Sequence, residues 1–326
     1  MRDLDHQVIT QALAWVRDGH PIWLCTVLST YGSAPRGPGA MLVARRDGQY
    51  VGSLSGGCVE EAFLEELIVG DFDRMVTLRR YGESREESRR LALPCGGVLE
   101  VLIEHRAPDA AWLVHLEALY QALQGQRRLV RCVDVDVEAG AFLAREDDVA
   151  EGPCVVRRPA SVDIRIGPVL RLLLAGLSPV AEACARFAQA LGHEVIVCDP
   201  RPEMCEGFSV DRVTVVPQLP SAFIAAGGCH AATAVVALTH DPRIDDLAMI
   251  EAVRTEAFYI GVMGSRRTSD ARATRLLRSG GLSQTDIDRI HMPVGLALGS
   301  KTPAEIALAV VADIVRVYHG KARDAL

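Results

Sequence analysis

Two cysteines sit beside paired glycines: Ser55-Gly56-Gly57-Cys58-Val59-Glu60 and Leu93-Pro94-Cys95-Gly96-Gly97. Paired glycines let the backbone turn sharply and approach a ligand closely. An amphipathic helix is predicted from about Val59 to Val69, so Cys58 stands at or near its start. Unpaired N–H groups and the helix dipole favour an anion there, and the same field lowers the pKa of a thiol. Cys58 is therefore a candidate thiolate, able to bind a soft metal or to attack sulfur. The bland reading is that Gly56 and Gly57 make a turn and Cys58 packs. Cys95 has a weaker case, resting on a second Cys/Gly-Gly turn that would converge on the same ligand. A third loop, Gly32-Ser-Ala-Pro-Arg36-Gly-Pro-Gly39, offers a cation suited to phosphate or carboxylate.

A second candidate centre lies in the other half of the chain. Ala175-Gly-Leu-Ser-Pro-Val-Ala181 follows an apolar strand, and a dinucleotide fingerprint would read GxGxxG or GxGxxA there. Gly176 and Ala181 fit the first and third positions, while Ser178 replaces the glycine that lets backbone approach a pyrophosphate. Asp199 ends the next strand, where an acid would hold ribose hydroxyls. A bound NAD(P) therefore stays open, as does a fold used as scaffold. Thr239-His240-Asp241 reads as turn chemistry or as an acid/base pair. Gly264-Ser-Arg-Arg267 reads as a phosphate site or as a capped helix start. Thr302-Pro-Ala-Glu305 reads as a capping box with proline in the first turn.

The elements that position these residues fall into two patterns. The first half is mixed, and reads as α+β. It has helices over 6–18, 59–69 and 110–123. Strands are expected over 22–29, 75–81 and 98–104, with a hairpin about Asp47-Gly48 and a β-rich stretch up to about Ile166. The second half alternates strand and helix, with apolar strands at 171–175, 194–198, 234–238 and 257–262. That order predicts a Rossmann-like, doubly wound parallel sheet. The boundary is expected near 160–168, giving domains 1–165 and 166–326. The whole reads as α/β.

Composition narrows the function classes. The chain has 326 residues, 49% hydrophobic and 24% charged, which fits two globular domains. A net charge of −7 argues against general nucleic-acid binding. No apolar run reaches the roughly 18 residues of a membrane span, and no export signal opens the chain. The expectation is a cytoplasmic protein with reduced thiols. Its nine cysteines include no CxxC, so a zinc ribbon or single-loop iron–sulfur site is not expected. Cys25, Cys132, Cys184 and Cys198 lie in apolar runs and read as packing residues.

Taken together, these segments resemble the XdhC/CoxI family. The matching stretches are GSAPRGPGAMLV (32–43), GSLSGGCVEE (52–61), LPCGG (93–97), VIVCDPRPE (195–203), THDPRIDD (239–246), YIGVMGSRRT (259–268) and PVGLALGSKTPAEIALAVVADIV (293–315). The likeness covers nearly the whole chain, with about 106–165 the least distinctive part. It departs from the family pattern at Gly176–Pro179, where many relatives are richer in glycine. The resemblance implies maturation of molybdenum hydroxylases such as xanthine dehydrogenase. Such a protein binds molybdenum cofactor and protects it while a cysteine desulfurase makes the sulfido ligand. It then inserts the cofactor into the apo-enzyme, and members resemble homodimers. Carried over by motif, Cys58 and Cys95 are the thiol candidates, with Cys58 on the metal. Gly56, Gly57, Gly96, Gly97, Arg36 and Glu60 surround the cofactor. This implies an accessory protein rather than a catalyst. An NAD(P)-dependent oxidoreductase with Asp199 on the ribose and His240 as acid/base, and a thiol redox or metal module using Cys58 and Cys95, are the competing readings.

Overall fold

The computed structural model describes residues 2–31, 36–84, 97–135, 140–147 and 153–323, without the side chains of residues 2, 3 and 58. Cys95 and Gly96 lie outside the described residues. The chain forms two units, Met1–Pro168 and Val169–Leu326.

The first unit is α+β. Helix α1 (Arg2–Arg17) buries Val8, Ile9 and Ala12, spaced to share one face. Five strands form an antiparallel sheet in the order β3 (Tyr50–Gly52), β2 (Met41–Ala44), β1 (Ile22–Tyr31), β5 (Val98–Arg106) and β4 (Val76–Tyr81). The hairpin expected at Asp47-Gly48 joins β2 to β3, with Gly48 at φ 84°. Helix α2 (Cys58–Val69) packs Val59, Phe63 and Leu67 against Trp23, Cys25 and Leu42 of the sheet. At the end of β3, Gly52 has φ +112°, and a Cβ there would stand 2.5 Å from Met41 O and 2.6 Å from Val8 Cγ2. Only glycine lets α1 lie this close to the hairpin.

A second antiparallel sheet of the same unit runs β7 (Phe142–Glu146), β6 (Leu129–Asp134), β9 (Ser161–Ile166) and β8 (Val155–Arg157). A buried charge cluster ties it to the first sheet. Glu104 of β5 accepts from Arg106 at 2.8 Å and from Arg131 of β6. Arg131 Nε donates to His115 Nε2 at 2.9 Å, on helix α3 (Ala110–Leu123). Burial, and then the two guanidinium groups, push His115 down to about 2, so it stays neutral.

The second unit is a six-stranded parallel sheet. Its order is β12 (Thr214–Val216), β11 (Glu194–Cys198), β10 (Arg171–Ala175), β13 (Thr233–Ala237), β14 (Tyr259–Val262) and β15 (Ile290–His291). Both faces are covered. Leu172 and Leu174 point into one core with helices α4 (Pro179–Ala190) and α10 (Pro303–Tyr318). Leu173 and Ala175 point into the other with α7 (Pro242–Ala252) and α8 (Arg266–Ser279). Burial on both faces explains why these strands read as unbroken apolar runs. Short helices α5 (Pro202–Glu206), α6 (Pro220–Phe223) and α9 (Gln284–Asp288) complete the connections. In chain order the sheet is 3-2-1-4-5-6, the Rossmann arrangement, and its order reverses between β10 and β13. Among the described residues no helix is long and apolar enough to cross a membrane.

Candidate functional site

The turn before Cys58 is built around one carboxylate. Glu60 Oε1 accepts Ser53 Oγ at 2.7 Å, Leu54 N at 2.8 Å, Ser55 N at 3.0 Å and Gly56 N at 3.0 Å. Its Oε2 accepts Ser55 Oγ at 2.8 Å and Gly57 N at 3.0 Å. Glu60 is 4% exposed, and burial alone would raise its pKa. The backbone and hydroxyl donors outweigh burial and bring it down to about 2. The cradle of N–H groups expected for an external anion thus holds an internal one. Gly56, at φ 90°, supplies the left-handed residue that points these amides inward.

Arg36 is also turned inward. It is 5% exposed; its Nη2 donates to Asp5 Oδ1 at 2.8 Å and its Nε to Ser53 O at 3.2 Å. Asp5 accepts Met41 N at 3.1 Å as well, and burial pushes its carboxyl up against the pull of Arg36. A continuous polar path therefore runs from α1 through Arg36 and Ser53 to Glu60. Sequence reasoning missed Asp5. Its signal was available: an acid three and four residues before Val8 and Ile9, on the buried face of an amphipathic helix.

Cys58 is the first residue of α2, as its glycine neighbours predicted. Gly56 and Gly57 before it are exposed, and a Cβ on Gly57 would meet nothing within 4 Å. The approach to the helix start is open on that side. The structure brings Arg36, Gly56, Gly57, Glu60 and the Cys58 backbone into one loop cluster. Gly97 is buried at the entrance to β5. Among the described residues, no three His, Cys, Asp or Glu side chains come together as a metal site.

In the second unit the fingerprint residues are occupied by the protein itself. Ser178 caps α4, its Oγ accepting Ala181 N at 3.1 Å. Asp199 is fully buried. Its Oδ2 accepts Leu177 N at 2.6 Å and Arg201 Nη2 at 2.6 Å; its Oδ1 accepts Arg201 N and Nε, both at 2.9 Å. Burial opposes ionisation, but Arg201 and the two amides hold the carboxyl below its usual range. Gly176, at φ +89°, has Thr239 Cγ2 where a Cβ would stand, so only glycine fits this first position of the turn. His240 is exposed and carries φ +68°, with its N–H and that of Thr239 held by Asp245 at 3.0 and 3.2 Å. Asp241 Oδ1 accepts Arg243 N at 2.9 Å and caps α7, so the His-Asp pair is part of a helix start. The capping box read at Thr302–Glu305 is present at the start of α10.

Residues 15–69 match the family described as XdhC and CoxI, and residues 172–314 match the one described as XdhC Rossmann domain. Among curated proteins, the chain is 29% identical over 96% of its length to "Molybdenum cofactor insertion chaperone PaoD" of Escherichia coli, covering 89% of that protein. It is 26% identical over 93% of its length to a Bacillus subtilis protein described as a probable xanthine dehydrogenase subunit, covering 95% of it. A crystal structure from Bacillus halodurans, described as a xanthine dehydrogenase, superposes with a TM-score of 0.71 at 22% identity, over 98% of each chain. That similarity fixes the fold. The two matched segments together span more than half of the sequence and include the glycine-flanked Cys58 turn and the Rossmann sheet, and on them the chain belongs to the XdhC and CoxI family.

Proposed function

We propose that this chain is a maturation factor that binds molybdenum cofactor and delivers it to an apo molybdenum hydroxylase of the xanthine dehydrogenase type. The observation that carries the reading is Cys58 at the start of α2, beside two exposed glycines, in a chain similar along its length to a protein named as a molybdenum cofactor insertion chaperone. The cargo's molybdenum and dithiolene are soft, which suits a thiolate at a helix N-terminus. In this reading Cys58 contacts the metal, and Cys95, Gly96 and Gly97 are further candidates for contact with the cargo. Gly56 and Gly57, whose N–H groups are held by Glu60, present no side chain to obstruct the cargo's approach. Arg36 and Glu60 serve as the frame that fixes this turn, since their polar atoms are engaged within the protein. The first domain, 1–165, handles cofactor, and the Rossmann-like domain, 166–326, docks a partner. The chain acts as a cytoplasmic homodimer, and a cysteine desulfurase sulfurates the cargo while it is held.

The test is anaerobic purification from a host that makes molybdopterin, followed by fluorescence of the oxidised pterin. Wild-type protein is expected to carry pterin, and Cys58→Ala to lose most of it while keeping its circular dichroism. Pterin-free wild-type protein would sink the proposal. The dinucleotide alternative has less support: Asp199 already takes four donors from the protein, and Ser178 stands in place of the glycine that a pyrophosphate would approach.

A further inference from the structure

A second loop at the carboxyl edge of the parallel sheet has unspent chemistry. Strand β14 ends at Val262, and Met263-Gly264-Ser265 turns directly into α8. Ser265 caps this helix, its Oγ accepting Thr268 N at 3.2 Å. Fourteen residues long, α8 has no acid in its first turn. Its first two residues, Arg266 and Arg267, are exposed, and neither has a side-chain partner among the described residues.

An independent observation points to a ligand. Ser269, one turn into α8, is 3% exposed, and its Oγ has no hydrogen-bond partner. A helical serine ordinarily bonds back to the carbonyl four residues before. Here that carbonyl, Ser265 O, already accepts Ser269 N at 2.9 Å and Thr268 Oγ1 at 2.9 Å. Buried hydroxyls are rarely left unbonded. Gly264 shows where this one is aimed. A Cβ on Gly264 would stand 3.4 Å from Ser269 Oγ, 2.7 Å from Thr268 Oγ1 and 3.7 Å from Arg272 Nη1. The Gly264 backbone is thus packed against two hydroxyls and a guanidinium, with no room for a side chain between them.

The frame behind it is fixed. Arg272 donates to Met263 O at 3.0 Å, Asp246 at 2.8 Å and Asp245 at 3.2 Å. Asp246 also accepts Arg275 Nε at 2.6 Å. Both carboxylates are thus paired with guanidinium groups and do not set a bare negative charge against an anion. Ligands of open α/β sheets bind at the carboxyl ends of the strands, where this turn lies.

We propose that the Gly264–Ser269 turn binds a phosphate monoester. Its oxygens take the free N–H groups opening α8 and the Ser269 hydroxyl, and Arg266 and Arg267 supply the counter-charge. The site stands apart from the cofactor reading, and a nucleotide or a pterin could carry the phosphate group.

Ser269→Ala gives the deciding measurement. If the turn is only a helix cap, removing an unbonded buried hydroxyl leaves melting temperature unchanged or raised and alters no binding. If it is a phosphate site, full-length wild-type protein broadens the 31P signal of inorganic phosphate saturably. Ser269→Ala then weakens that binding roughly tenfold, the effect of one hydrogen bond to a charged group, with no loss of melting temperature. Arg266→Ala with Arg267→Ala weakens it further and flattens its salt dependence. Displacement by AMP but not adenosine identifies a nucleotide source; displacement by molybdopterin but not its dephosphorylated form identifies a pterin. No saturable phosphate binding, equal binding by Ser269→Ala, or displacement by neither ester overturns the proposal.

Discussion

At the residue scale, Glu60 governs the shape of the Cys58 turn. Six donors converge on its carboxylate, and four are backbone amides that would otherwise need water. Glu60→Gln keeps the size but replaces an acceptor pair with one acceptor and one amide donor. It is expected to cost about 2–4 kcal/mol, read from chemical denaturation, because buried amides lose a charged partner. The pH dependence has a definite sign. A folded-state pKa of about 2, below the ordinary value of 4.5, contributes stability that is complete above the unfolded value and disappears as pH falls toward 2. Wild-type protein should therefore lose stability between about pH 4.5 and 2, with a shallower slope in Glu60→Gln. Equal slopes would remove Glu60 as the cause. This residue was legible in the sequence as an acid near a glycine turn, but its direction was not. A carboxylate three residues into a helix can face a ligand or fold back on its own cap, and spacing alone does not choose.

At the scale of elements, the regular pieces were easy to read and their partnerships were not. Arg171–Ala175, Glu194–Cys198 and Ala110–Leu123 have the bounds that apolar runs and helical periodicity predict. The strands β12 and β15 escaped the sequence. They are three and two residues long, lie toward the edges of the sheet, and leave too little pattern to detect. Long-range pairing was equally hidden. Nothing near Arg36 predicts Asp5, and nothing near Glu104 predicts Arg131 from another sheet. The second of these pairings makes a strong demand on the fold. Glu104→Gln would leave two buried guanidinium groups without their carboxylate, and is expected to cost about 3–5 kcal/mol. Urea denaturation of the first unit should show it. A change within error would mean that water or another acid already compensates Arg106 and Arg131.

For the whole molecule, each unit has its own core: Trp23, Leu42 and Phe63 in one, Leu172, Val236 and Val310 in the other. Separate cores predict separate unfolding. Differential scanning calorimetry should resolve two transitions, with Glu104→Gln lowering one and Asp199→Asn the other. A single transition moved by both variants would show that the units melt together. The division into α+β and parallel α/β halves was legible because strand order and strand burial leave different apolar patterns. The sheet order that places the Gly264 turn beside the Thr239 turn was not.

The internal anion at Glu60 also bears on how a cargo would come and go. A turn closed on its own carboxylate has its final geometry before anything arrives, so loading requires no ordering of that loop and unloading releases none. Affinity at such a turn rests on the contacts themselves, not on a fold that must form and dissolve around the guest. Under the proposed role, the empty form would already have the shape of this turn that the next exchange needs.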